Sequence, residues 1–341
     1  MEGRRQWMAE GADLQVGVTR FDGCLPIAGT FRSVGFHPAE ALSLALDGHA
    51  WTVSVQAVDG PPSRPDAIDL DIRFLLARGR AAGVQAAVRL VFRDWSEGHF
   101  VLMPAGAYDG NRFETRTMPY PPIFRDPDDL RPDLPVVITD IPRLSPGSGP
   151  SRIQLMTRDL STPAIGFLHG QRDRGFWLLA DPATRAGDSG LEIEESPDRS
   201  QAVLSVTAPG IRYPTRYTIC DMGHPCDDRG VDLEEGESIA IRLRIIRFDC
   251  PSLPDLFQVF SAIRKDLSPP ALRRPSIPLS AAWSLLEDKY NRDNWVEAKG
   301  YYGVGVDENW QVGWVGGLMA TLPLLAAGSP LSVHPAGRDL H

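Results

Sequence analysis

Cysteine is scarce in this chain: Cys24, Cys220, Cys226 and Cys250 are all it has in 341 residues. So few cannot form the dense disulfide framework of small secreted domains, and a chain this long can bury a core without one. Cys220, His224 and Cys226 fall close together in CDMGHPC, but the spacing suits neither a zinc knuckle nor a CxxC pair. Free thiols in a strand-to-loop segment are expected there, and no metal. The sequence also lacks any run approaching the ~18 consecutive apolar residues of a membrane helix, so no membrane partner is expected. Its opening, MEGRRQWMAEG, has early arginines with no apolar stretch behind them. No secretory signal is visible, and the chain reads as cytoplasmic as written, with secretion open if the N-terminus is incomplete. A basic excess is missing too: 35 Lys and Arg face 44 Asp and Glu, a formal charge of -9. A nucleic-acid partner, which needs a cationic face to displace counterions, is not expected. GVGV at 303–306 is not GxGxxG, and no P-loop, GxSxG or HExxH occurs. No cofactor is expected.

What the sequence does have, from about residue 12 to 250, is short β-rich runs closed by Gly, Pro and Asp. Ile68–Leu76 puts Ile68, Leu70, Ile72 and Phe74 on one side and Asp69, Asp71 and Arg73 on the other. Trp51–Val58 sets Val53 and Val55 against Thr52 and Ser54. A period of two marks a half-buried strand. Val84–Phe92, His99–Pro104, Val136–Thr139, Ile153–Met156, Ile165–Leu168, Phe176–Leu179, Leu191–Glu194, Ala202–Val206 and Ile239–Phe248 continue the series. Many short strands with few helices between them predict a large antiparallel sandwich over 12–250. After Cys250 the period changes. Leu256, Phe257, Phe260, Ile263 and Leu267 fall at helical spacing, and Pro269, Pro270 and Pro275 punctuate a linker, giving a helix-and-linker segment over 251–278. Two more helices are expected, at 279–290 and from about Trp314 to Ala327, with Pro323 kinking or shortening the second. Three apolar helices do not close a core alone, so 279–341 reads as the start of a truncated helical domain, with exposed apolar faces prone to self-association.

Three passages could carry chemistry. Tyr108–Asp126 is too long and proline-rich for a turn, and binding residues concentrate on such loops. Its Tyr108, Phe113 and Tyr120 could stack on sugar rings, while Asn111 and Arg112 could hold hydroxyls or a carboxylate. Arg158 and Asp159 follow, Arg158 among the substrate-binding candidates and Asp159 as a candidate catalytic carboxylate or a cap. Glu192 and Glu194 share one strand face and read as solvated. In Trp295–Gly317, Trp310 and Trp314 share a helix face if both are helical. Gln311 lies between them, and Asp307 and Glu308 just before are the other candidate acids. Glycoside hydrolysis needs two carboxylates across the bond, and spacing pairs none of these.

Five segments, VLMPAGAYDGNRF (101–113), MPYPPIFRD (118–126), TDIPRLS (139–145), IQLMTRDLSTPAIGF (153–167) and NWQVGWVGGLMATLPLLAAGSPLS (309–332), carry a resemblance. Together they resemble bacterial two-domain proteins of the six-hairpin glycosidase type, over nearly the whole chain to about Leu331. The resemblance implies an N-terminal β-supersandwich followed by an (α/α)6 toroid, here incomplete. It also implies a glycoside hydrolase acting on an oligo- or polysaccharide, some relatives taking uronic-acid-containing polymers. Tyr108, Asn111, Arg112, Trp310, Gln311 and Trp314 would then face a cleft at the toroid mouth, and the isolated chain would be inactive. Two rival readings stand beside it: a polysaccharide lyase fragment, and a non-catalytic carbohydrate-binding or structural sandwich.

Overall fold

The computed structural model describes residues 11–36, 38, 40–64, 66–118, 123, 135–138, 141–216, 224–268, 277–303 and 318–327. The chain divides into two compact units, residues 1–267 and 268–341. The first unit is an antiparallel sandwich. Its strands are β1 (Ala12–Asp22), β2 (Leu25–Ser33), β3 (Leu42–Leu46), β4 (His49–Asp59), β5 (Ala67–Arg78), β6 (Ala81–Phe92), β7 (Phe100–Met103) and β8 (Ala107–Tyr108). Then come β9 (Ser151–Met156), β10 (Ala164–Leu168), β11 (Arg174–Ala180), β12 (Gly190–Glu195), β13 (Ala202–Ala208), β14 (Val231–Leu233) and β15 (Ser238–Asp249). One sheet runs β9-β12-β13-β6-β1-β2, with β14 also on β6, and the other runs β3-β4-β5-β15-β11-β10-β7-β8.

Period-two alternation places the core between the sheets. In β5 the side chains of Ile68, Leu70, Ile72, Phe74 and Leu76 are all buried. The intervening Asp69 and Asp71 lie on the opposite face, where register sets them beside Arg244 and Arg242 of β15. Arg244 donates to Asp69 at 2.6 and 2.7 Å, and Arg242 to Asp71 at 3.0 Å. A one-residue slip would bury these charges and expose the apolar row, so the pattern fixes the register. Trp51 and Val53 are buried as β4's alternation requires.

The outer face of the second sheet is covered by α1 (Leu253–Leu267). Leu256 and Ile263 are buried in a cluster with Trp177, Leu179, Ile246 and Phe248, and Val259 and Phe260 pack against it. Phe260 stacks on Trp177 at 4.9 Å. Phe257 and Leu267, on the same helical spacing in the sequence, are instead exposed, because the contact stripe is narrower than the apolar one. Gly166 lies beneath the indole, and a methyl group there would sit 2.5 Å from the ring.

The second unit holds α2 (Leu279–Lys289) and α3 (Leu318–Ala327), with Pro323 inside α3. Between them Asn294 donates to the Gly303 carbonyl at 2.9 Å, and Tyr302 is buried against Trp295 and Tyr290. Leu279, Leu285 and Leu286 of α2 are exposed. No helix among the described residues is long and apolar enough to cross a membrane.

The covering of the sheet makes a first prediction. Trp177→Ala removes the indole that α1 rests on and should cost about 3–5 kcal/mol, whereas Phe257→Ala should cost under about 1 kcal/mol. Urea denaturation of both variants checks the contrast.

Candidate functional site

The 108–112 segment turns through left-handed backbone at Asp109, Gly110 and Asn111, with φ of 52, 62 and 51°. Gly, Asn and Asp are the residues that tolerate this region, so the DGN triplet is why the chain can turn here. Asn111 locks the turn. Its Oδ1 accepts from the Tyr108 N–H at 3.0 Å, and its Nδ2 donates to the carbonyls of Gly106 and Pro142 at 3.0 and 2.8 Å. The Leu144 N–H donates to the Gly110 carbonyl at 2.8 Å. The result is a rigid turn that leaves the Tyr108 ring 53% and Phe113 42% exposed. Among the described residues, the Tyr108 hydroxyl meets only the Ala105 N–H, at 3.4 Å.

Arg112 points inward. Its guanidinium forks onto Glu195, Nη1 at 3.0 Å from Oε2 and Nη2 on Oε1. The Glu195 side chain is wholly buried and that of Arg112 is only 9% exposed. Glu195 also accepts from Trp95 Nε1 and Ser151 Oγ, both at 2.7 Å, and Arg199 Nε lies 3.4 Å away. Burial alone would raise this carboxyl, but the hydrogen bonds from Arg112, Trp95 and Ser151 hold it below the usual carboxylate range. Arg199 in turn donates to the Gly149 and Ser196 carbonyls at 2.7 and 2.8 Å. One carboxylate thus ties the 108–112 turn and the 145–151 segment to the end of β12.

The other sequence candidates fall into separate places. Asp159 accepts from the Met156 N–H at 2.9 Å and from Arg212 at 3.2 Å. Arg212 is clamped mainly by Asp228, at 2.9 Å. Asp159 therefore acts as a cap and ion-pair partner in this structure. Arg158 pairs with Asp188 at 2.9 Å on the surface. Tyr120, Asp307, Glu308, Trp310, Gln311 and Trp314 lie outside the described residues. The glutamates of β12 differ from expectation. Glu192 is half-buried beside Arg152 and Gln154, and burial raises its carboxyl, while Glu194 is exposed. Among the described residues no group of three His, Cys, Asp or Glu is placed to hold a metal. Burial pushes the Cys226 thiol up to about 12, which leaves it protonated and unreactive at neutral pH.

A second feature had no motif to announce it. Trp95, the donor to Glu195, stacks on His99 at 4.3 Å, and His99 meets His169 at 4.2 Å. His99 Nδ1 lies 3.0 Å from the Ser96 carbonyl. A carbonyl only accepts, so the proton sits on Nδ1, and among the described residues the buried Nε2 acceptor has no hydrogen-bond partner. In His169 the Gln171 N–H donates to Nδ1 at 3.1 Å, which puts the proton on Nε2, 3.6 Å from Asp94. Burial, then the neighbouring His169, lowers the His99 pKa to about 4.

Two outcomes follow from these pKa shifts. Arg112→Met leaves Glu195 buried without its main cation and should cost about 3–5 kcal/mol at pH 7. A carboxyl held low contributes stability above the unfolded pKa of ~4.3 and loses it as pH falls. The cost of Arg112→Met should therefore shrink toward pH 4 in denaturant titrations. His99 resists a proton that the unfolded chain accepts near 6.5. Stability should fall by up to ~1.4 kcal/mol per pH unit as pH drops from 6.5 toward 4, and His99→Gln should flatten that window.

No protein-family model matches the chain, and no curated protein does. Among solved structures, a protein from Synechocystis sp. PCC 6803 aligns at 10% identity and a TM-score of 0.34, over 61% of this chain and 60% of its own. A Klebsiella pneumoniae protein provisionally named aldose 1-epimerase aligns at 11% identity and a TM-score of 0.37, over 69% and 54%. An Escherichia coli protein with the same provisional name aligns at 9% identity and a TM-score of 0.31, over 62% and 69%. The chain thus spans 60% and 54% of the first two proteins. At these identities and TM-scores the likenesses carry no reading of what this chain does.

Proposed function

We propose that this chain is part of a carbohydrate-active enzyme, a glycoside hydrolase whose sandwich presents Tyr108 to a sugar ring of an oligo- or polysaccharide. The observation that carries the reading is exposure combined with rigidity. Tyr108 is 53% exposed on a turn whose backbone is locked by Asn111 and by the Arg112–Glu195 pair. An aromatic face fixed in advance loses little freedom on stacking against the apolar C–H face of a pyranose. In this reading Asn111 and Arg112 are positioning residues, because their polar atoms hold the turn and Tyr108 touches the ligand. The six-hairpin glycosidase resemblance supports hydrolysis as the reaction. Asp307 and Glu308 are then the acids to consider, with Tyr120, Trp310, Gln311 and Trp314 as further contacts and Arg158 at the surface beside Asp188.

The test is retention of the full chain on a panel of neutral and acidic oligosaccharides. Tyr108→Ala should weaken binding at least about tenfold with its melting temperature unchanged, since the ring is exposed, and Tyr108→Phe should bind normally. Release of new reducing ends marks a hydrolase, an ultraviolet-absorbing unsaturated product a lyase, and binding without turnover a sugar-binding module. A panel on which Tyr108→Ala changes nothing would sink the reading.

A further inference from the structure

The inward-facing rows of four strands change character at one end of the sandwich. Along β6 the row runs Val88, Leu90, Phe92 and, past the strand, Asp94. In β10 it runs Ile165, Phe167 and then His169, and in β11 from Ala180 back through Leu178 and Phe176 to Arg174. In β15 it runs Ile241, Leu243, Ile245 and then Arg247. Because side chains alternate at a strict period of two, Arg174 and Arg247, still within β11 and β15, continue the inward rows to the mouth of the sandwich. Asp94 and His169 reach the same mouth from just past the ends of β6 and β10, and Arg172 joins them from the β10–β11 turn.

They line a cleft of about 390 Å³ floored by Phe92, Phe167 and Phe176. These rings form a fixed cluster, with Phe92 edge-on to Phe167 at 5.2 Å and to Phe176 at 5.1 Å. Three guanidiniums over an aromatic floor match a particular chemistry. Guanidinium forks fit the paired oxygens of carboxylate and phosphate, and the floor fits a ring.

The arginines have partners already: Arg172 meets Asp94 at 2.6 Å, Arg174 pairs with Asp249, and Arg247 is engaged by its neighbours as well. Asp94 and Asp249 are 56% and 81% exposed, however. Pairs this open to water contribute little, so an entering oxyanion can take their place while the aspartates turn to solvent. His169 is turned toward the same Asp94, its Nε2 3.6 Å from the carboxylate.

We propose that this cleft binds a ring compound carrying a carboxylate or phosphate, with the oxyanion on Arg172, Arg174 and Arg247 and the ring over the phenylalanine floor. The site is separate from the Tyr108 surface and stands whether or not that surface binds sugar.

Calorimetric titration of the full chain with glucuronate, glucose 6-phosphate, glucose and inorganic phosphate tests it. At least one charged sugar should bind, at least about tenfold more tightly than glucose and than phosphate, and more weakly as salt rises. Whether glucuronate or glucose 6-phosphate wins identifies the source of the oxyanion. Arg172→Gln combined with Arg174→Gln should weaken that binding at least about tenfold, while Tyr108→Ala leaves it unchanged. Both arginines are half-exposed or more, so the variant should fold, and an unchanged melting temperature confirms that. Arg172→Gln alone should give a smaller loss. Equal binding of glucose, binding of phosphate alone, no binding of any probe, or indifference to the arginine changes would each overturn the proposal. Loss of charged-sugar binding in Tyr108→Ala would overturn the separateness of the two sites.

Discussion

A single buried carboxylate holds this end of the sandwich together. Glu195 occupies the last core-facing position of β12, where the alternation that buries Leu191 and Ile193 would put an apolar residue. An ionised group so placed is tolerated only when its charge and lone pairs are met. Arg112, Trp95 and Ser151 meet them, with Arg199 alongside. Each of these residues comes from a different segment, so satisfying one carboxylate brings the turn after β8, the segment after β6, the start of β9 and the β12–β13 turn to one place. An aliphatic residue at 195 would be easier to bury, but it would leave those segments without a common anchor.

The fold was legible because its pattern is redundant. In β5 and β15 every inward position is apolar and the outward charges pair across the strands, so composition and register agree. The helical spacing after Cys250 likewise marked α1, although it could not tell which apolar residues would touch the sheet: Leu256 and Ile263 do, and Phe257 and Leu267 are exposed. In the second unit α2 falls where a helix was expected at 279–290, and α3 lies within the one expected from about Trp314 to Ala327. No such redundancy exists in the loops, where a single Asn or Arg can bond a ligand or its own backbone equally well.

That ambiguity explains how the site differs from its sequence reading. Asn111 and Arg112 had the chemistry for hydroxyls and carboxylates, and the acceptors they meet belong to the chain itself: the Gly106 and Pro142 carbonyls and the Glu195 carboxylate. Glu195 was hidden because LEIEES reads as an alternation ending in solvent, when odd positions of that strand face the core. The mouth residues carried a usable signal. LVFRD, IGFLH and RGF each place a charged or titratable residue two positions from a core phenylalanine, which is what a period of two predicts for an inward row that runs out of core.

The hub and the mouth are joined through Trp95, which donates to Glu195 and stacks on His99, itself against His169. This chain of contacts separates two kinds of residue that loss-of-function data often confuse. Substitutions at Glu195, Arg112 or Trp95 disturb the support of the 108–112 turn and of the histidine pair together, whatever either surface binds. Tyr108 and Arg172 lie at the exposed ends of the same network and touch nothing that the other needs. A ligand contact is therefore identified here by its independence: a residue whose loss affects one surface and spares the other acts on the ligand, and one whose loss affects both acts on the scaffold.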